Sequence, residues 1–409
     1  MSKTTSLPVS PTDLKELVYG ACFSASGGGG PISMALNFLD KIDCSLPMVT
    51  RTELEADKKV LILADMGSPD ATKEGRGYTA PVNAFYVLDD YLKQNSLGEA
   101  AYLMPIEIGA VNTLIPFYIA SQLDTPLPVL DADPSGRSVP QLNETLLDIS
   151  SAAICPAAVA SDTISSSAAY ASTPSDCHHV IFRDTSTTPT ELEDEARKVV
   201  SSPLYHQVGG LACYPMDSSW VSSSTGGESL VESSISGAIA IGNVLLTYAS
   251  QGYSVLEPEL KSALSDQGKA NYVLASGELT VIDNRTSGGF DVGRLTFKLS
   301  NGSAFWVYYK NESLLAWDPE SGKPLAIGPD CINLLLMTAS GDFDQCTPLS
   351  TADISEGMEL AIWGTSCDSK MRNSTTEGLF MEDIQQILAA FPEDPVTVTG
   401  YQTIESLNS

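Results

Sequence analysis

A chain of 409 residues is too long for one ordinary core and predicts two domains, and its 43% hydrophobic content can fill both and excludes a disordered chain. Its 51 acidic against 22 basic residues, a formal net charge of −29, repel phosphate, so nucleic acid and anionic membrane surfaces are poor partners. The N-terminus lacks an apolar signal core and no apolar run approaches the ~18 residues of a membrane span, so a cytoplasmic location is expected.

In chain order, residues 11–20 carry helical spacing with Thr12 as the expected N-cap. Four glycines, Gly27 to Gly30, and Pro31 lead into helical spacing over 32–39. Val60 to Ala64 is a short apolar strand that ends in Asp65, Met66 and Gly67. A helix over 81–94, a strand over 101–108, a helix over 111–123, a strand over 127–130 and a helix over 142–150 follow. Short apolar strands separated by helices predict an α/β N-terminal domain with a largely parallel sheet, over residues 8–165.

Ser, Ala and Thr dominate 151–176, which reads as the connection into a β-rich α+β C-terminal domain over 166–385. That domain opens with helical stretches at 189–201 and within 226–250, the latter rich in small residues. Strands are expected at 279–283, 292–299, 304–309, 314–318, 334–338 and 359–365, with Ser300-Asn301-Gly302 as a hairpin turn. A helix over 380–391 precedes a polar tail, 386–409. Eight cysteines with no Cys-x-x-Cys spacing argue for free thiols over a structural zinc site. The histidines, His178, His179 and His206, are weak catalytic candidates, and the five Asn-X-Ser/Thr matches read as chance.

The chemistry concentrates at the C-terminal ends of the strands, where an α/β sheet binds ligands. Glu107 and Asn112 flank a strand-to-helix turn, and helix capping explains them as readily as catalysis. Asp131 and Asp133 point the same way in an extended segment. Two carboxylates so placed call for a cation, either Arg137 or a bound metal, or else form a solvated turn before Pro134. Backbone N–H groups of Gly28, Gly29 and Gly30 could hold an anion or carbonyl oxygen, though neither the dinucleotide nor the P-loop spacing is present. Asn311 and Glu312 interrupt an apolar β segment, as a ligand-facing pair or an exposed hairpin would.

Taken in order, Gly27 to Pro31, Met66-Gly67-Ser68-Pro69, Glu107-x-Gly109-x-x-Asn112, Asp131-Ala132-Asp133-x-x-Gly136-Arg137-x-x-Pro140, Tyr309-x-Asn311-Glu312 and Pro329-Asp330 resemble the S-methyl thiohydantoin desulfurase-like family (DUF917) from about residue 10 to about 385. The resemblance implies an α/β domain followed by a β-rich one, association with hydantoinase and oxoprolinase systems, and hydrolysis of an S-methylated thiohydantoin to methanethiol and a hydantoin. Ala110, Pro134 and Gln141 depart from the family pattern beside the matched polar residues.

The expected function is therefore hydrolysis, or a related lyase reaction, on a small cyclic amide or thiohydantoin-like ring. Glu107, Asp131 and Asp133 would activate water, the glycine amides would hold developing charge, and Asn112, Arg137, Asn311 and Glu312 would bind substrate. No cofactor motif is present. A divalent metal such as zinc is the one cofactor the site could take, on Asp131 and Asp133. Asp131→Asn would then lower turnover roughly tens-fold or more. A ring-forming or dehydrating enzyme on the same scaffold, and a non-catalytic partner of a hydantoinase-type enzyme, are the alternatives, and a homodimer is a reasonable assembly.

Overall fold

The structure, a computed structural model, describes residues 7–67, 77–150, 152–164, 176–285 and 292–409. Two eight-stranded sheets organise them. The first draws on β1 (Leu7–Val9), β2 (Leu46–Val49), β3 (Lys59–Gly67), β4 (Ala100–Pro105) and β5 (Val129–Leu130). The short β6 (Ala132–Asp133) pairs elsewhere, and β7 (Ala157–Thr163), β8 (Cys177–Phe182) and β9 (Val208–Asp217) complete the sheet. Its order is β1-β2-β5-β4-β3-β9-β7-β8. Strands β2, β5, β4 and β3 are parallel, as the alternating pattern predicts, and the flanking pairs are antiparallel. The sheet runs past residue 165 because β8 and β9 return to pair with it.

The parallel strands read as unbroken apolar runs because both faces are covered. Helices Pro11–Ser24, Ile32–Leu39, Ala80–Gln94 and Ala110–Gln122 pack on one face, and Leu192 and Ala196 of helix Pro189–Val200 on the other. The small-residue helix Ser234–Tyr248 crosses Pro11–Ser24 in backbone contact: a Cβ on Gly242 would overlap the Glu16 carbonyl.

In the second half β10 (Val231–Glu232) pairs with β6, and the other strands form an antiparallel sheet. They are β11 (Asn271–Asn284), β12 (Val292–Leu299), β13 (Ala304–Lys310), β14 (Glu312–Asp318), β15 (Lys323–Ile327), β16 (Cys331–Leu336), β17 (Pro348–Leu349) and β18 (Glu359–Thr365). Their order is β15-β14-β13-β12-β11-β18-β16-β17. The expected turn at Ser300-Asn301-Gly302 joins β12 to β13, with the Leu299 N–H donating to the Ser303 carbonyl at 2.9 Å. The next hairpin, β13 to β14, reverses at a single residue, Asn311, whose φ is 57°. Its tip docks on the N-terminal domain: the Ser313 N–H donates to the Ser26 carbonyl at 2.7 Å, and the Ser26 hydroxyl donates back at 2.8 Å.

Four local expectations shift. The first helix begins at Pro11 under Ser10, not Thr12. Ser10 and Asp13 cap it reciprocally, because a proline needs no donor partner at the first helical position. Strand β4 stops at Pro105, which leaves Glu107 in the turn. The segment 142–150 splits into a 3-10 turn, Leu142–Glu144, and a short helix, Leu146–Ile149, because Thr145 is extended. The tail beyond 390 packs, with the Tyr401 hydroxyl and Ile404 N–H donating to the Asp330 carboxylate at 3.0 and 2.7 Å. Among the described residues no helix is long and apolar enough to cross a membrane.

Candidate functional site

The C-terminal ends of β3 and β4, the glycine turn and the β13–β14 hairpin tip enclose a cleft of about 590 Å³. Four carboxyls line it: Asp65 from the end of β3, Glu107 from the turn after β4, Glu312 from the hairpin and Glu193 from helix Pro189–Val200. A larger cavity, about 650 Å³, lies behind Ile108 and Gly136 and is lined by none of these four.

Each carboxyl is held by a different part of the fold. Asn112, in the first turn of helix Ala110–Gln122, donates Nδ2 to Glu107 Oε1 at 2.7 Å. Its Oδ1 accepts the Asp65 N–H at 3.1 Å, so this amide ties the ends of β3 and β4 together instead of capping its own helix. The Val139 N–H donates to Glu107 Oε2 at 2.9 Å. Glu312 Oε1 accepts the Ser138 hydroxyl at 2.8 Å, while Oε2 is buried with no partner. Glycine is required at position 28, since a Cβ there would overlap the Glu312 carboxylate. Asp65 keeps part of its surface open to the cleft, yet its Oδ1 is buried and unpartnered.

Burial sets the protonation of the group. It pushes Glu107 up to about 6, against the bonds from Val139 and Asn112 that favour the carboxylate. Glu312 rises to about 8, from burial first and the neighbouring Glu107 charge second. Asp65 also rises to about 8, from burial and then the charge of Asp162. Burial raises both Glu107 and Glu312, and the Glu107 charge raises Glu312 further, so Glu107 is the more acidic of the two.

The other predicted residues divide. Gly28, Gly29, Gly30, Asn112 and Asn311 all line the cleft. The Gly28 N–H is used on the Ala25 carbonyl at 3.2 Å, and the Gly29 carbonyl accepts the Val111 and Asn112 N–H groups at 3.0 and 3.3 Å. Those bonds tie the glycine turn to the N-terminus of helix Ala110–Gln122.

Asp131, Asp133 and Arg137 do not reach the cleft. Asp131 Oδ1 accepts the Ser236 N–H at 2.9 Å in the first turn of helix Ser234–Tyr248. Asp133, fully buried, takes the Ser135 N–H, the Ser135 hydroxyl and the Gly136 N–H on one oxygen. Arg137, also fully buried, gives its guanidinium to the carbonyls of Ser138, Pro329 and Asp330 and lies over the Phe380 ring. It clamps the two domains and bridges no carboxylate pair. The two aspartates serve different backbones, so they do not fit a shared divalent metal, and among the described residues no cluster of three or more His, Cys, Asp or Glu could hold one. His178 and His179 lie on β8, His206 precedes β9, and none lines the cleft.

Sequence reasoning left out Asp65, Ser138 and the Glu193–Arg197 pair. Asp65 carried a signal, a carboxyl closing a buried strand. Ser138 lies within the Asp131–Pro140 motif. Glu193 and Arg197 are an i,i+4 pair at 2.6 Å on the cleft rim, and Glu193 also accepts the Leu142 N–H at 2.8 Å. Nothing local distinguishes them from an ordinary surface helix.

Fold and cleft together define a two-domain protein with a buried carboxyl pair between an α/β unit and a β-rich one. The S-Me-THD-like N-terminal domain matches residues 12–169 and its C-terminal domain residues 187–381, and the chain belongs to this S-methyl thiohydantoin desulfurase-like family. A crystal structure of a protein from Chromobacterium violaceum has the same fold, with a TM-score of 0.78 at 23% identity over 97% of this chain and 100% of that one. No curated protein matches the chain.

Proposed function

We propose that the protein hydrolyses a small S-methylated thiohydantoin or a related cyclic amide in the cleft between its domains. The observation that carries this reading is the pairing of Glu107, oriented by Asn112 and Val139, with Glu312, oriented by Ser138, at one cleft wall. Membership of the S-Me-THD-like family supports the substrate class.

Glu107, the more acidic partner, takes a proton from water as it adds to the ring carbon that bears sulfur. The new C–O bond pushes the C=N electron pair onto ring nitrogen, and Glu312 delivers its proton there. Collapse to C=O returns the hydroxyl proton to Glu312 and breaks the C–S bond, and the thiolate leaves with the proton gathered by Glu107. Ring C(=N)–SCH3 plus water thus becomes ring C(=O)–NH plus CH3SH, and the pair ends with the one proton it began with. The Gly29 and Gly30 amides, which line the cleft, would donate to the developing charge.

The test is release of methanethiol, followed with a thiol reagent, from an S-methylated thiohydantoin added to purified protein. The expected kcat/KM profile is a bell. It falls below about 6, where Glu107 gains its proton, and above about 8, where Glu312 loses its own. Absence of thiol release across a panel of S-methylated and unsubstituted hydantoin rings overturns the reading.

A further inference from the structure

Behind the β13–β14 hairpin lies a second group of charged side chains that water does not reach. Lys310, Glu144 and Asp383 are exposed by 3%, 1% and 2%. Lys310 Nζ meets Asp383 Oδ1 at 2.6 Å and Gln386 Oε1 at 3.4 Å, both on helix Ser374–Ala390. Gln141, from the cleft wall, closes the group: its N–H donates to Glu144 Oε2 at 2.9 Å and its side chain to Asp383 Oδ1 at 3.3 Å. One cation thus faces two carboxyls, and Glu144 Oε1 and Asp383 Oδ2 are both buried without a partner.

A buried ion pair is a poor source of net stability, because desolvation offsets the attraction. Its position suggests another use. Lys310 pairs with Glu312 across the one-residue turn at Asn311, so whatever anchors Lys310 also anchors Glu312.

We propose that Lys310 is a positioning residue for Glu312: held on Asp383, it fixes the hairpin tip that carries the acid into the cleft and places a positive charge behind it. The electrostatics of Glu144 support this. Burial and Asp383 push its carboxyl well up, Lys310 opposes them, and Glu312 adds to them, so the inner group and the cleft acid share one field. Glu107 and Arg137 of the first domain act on Glu312 directly, Glu144 of the 142–144 turn interacts with it, and Lys310, its cross-strand neighbour, is ion-paired to Asp383 of the C-terminal helix.

The inference rests on Glu312 as the acid of the proposed reaction, but its test needs no turnover. The carboxylic C=O stretch of Glu312 is followed by infrared difference spectroscopy across a pH titration, the band being assigned by its loss in Glu312→Gln. Lys310→Met removes the cation and moves the midpoint to higher pH. Asp383→Asn leaves the cation without its counter-charge and moves the midpoint to lower pH. Each displacement is about one pH unit, and Lys310→Arg keeps the native midpoint. A merely structural role lowers stability in these variants and leaves the midpoint in place. Midpoints that stay put, or that move in the same direction, overturn the proposal. If Lys310→Met does not fold, Asp383→Asn decides alone: a downward move supports the proposal, and an unmoved or raised midpoint overturns it. Opposed midpoints without ring hydrolysis sink only the reaction, and hydrolysis with unmoved midpoints sinks only the positioning role.

Discussion

The turn after β4 and the loop after β5 carry similar chemistry, and the fold uses them in opposite ways. At the first, Asn112 and Val139 each donate to one Glu107 oxygen, and the residue lines the cleft. At the second, one Asp133 oxygen takes three donors from the next three residues, and Arg137 turns to backbone carbonyls. A carboxylate engaged by its own loop and shut away from the cleft fixes that loop. One held by other segments and lining the cleft is available to a substrate. The distinction lies in where the donors come from, not in the number of acids.

The largest expected effect breaks the comparison most directly. Glu107→Gln and Glu312→Gln each remove a proton-transfer group while keeping shape, and each should lower kcat/KM about 10²- to 10⁴-fold in the thiol-release assay. Asp133→Ala should instead strand the buried N–H groups of Ser135 and Gly136. It should cost about 2–3 kcal/mol in urea unfolding and leave the turnover of the folded protein near native. Equal losses of turnover in the Asp133 and Glu107 variants would erase the distinction.

Much of this was legible in the chain because it depends on local order. Apolar runs bounded by glycine and polar residues located the parallel strands, and Glu107, Asn112 and Glu312 could be singled out by the break each makes in an apolar context. What was not legible depends on contacts far apart in sequence. The Asp133 donors lie in the local turn that the sequence offers as an alternative, but the Asp131 donor, Ser236, lies 105 residues away. Arg137 looked like the counter-charge for two acids, and only the approach of Pro329 and Asp330 across the domain boundary shows where its guanidinium goes. Asp65 was visible as the end of a strand, yet its place beside Glu107 needed the Asn112 bridge.

That bridge gives the next effect in size. Asn112→Ala removes a donor to ionised Glu107, which disfavours the carboxylate and raises its proton affinity further. The acid limb of the kcat/KM profile should therefore move to higher pH from about 6. A move of about one pH unit, equivalent to about 1.4 kcal/mol, should cost about twofold at pH 7 and approach tenfold at about pH 5. An unmoved acid limb would mean that Glu107 is not the base.

The smallest effect tests the other side of the comparison. Helix Ser234–Tyr248 has no side-chain cap of its own, and its N-cap Ser233 sits at a φ of 59°. Asp131 supplies the missing acceptor from a distant strand end, with its negative charge at the positive end of the helix dipole. Asp131→Ala should therefore cost about 1 kcal/mol of stability, while Asp131→Asn keeps an acceptor oxygen and should recover most of it. Both variants should turn over substrate at the native rate once folded, because the carboxylate does not line the cleft. A tens-fold loss of turnover in Asp131→Asn with native stability would return the chemistry to the loop after β5, since a cap whose acceptor survives cannot account for it.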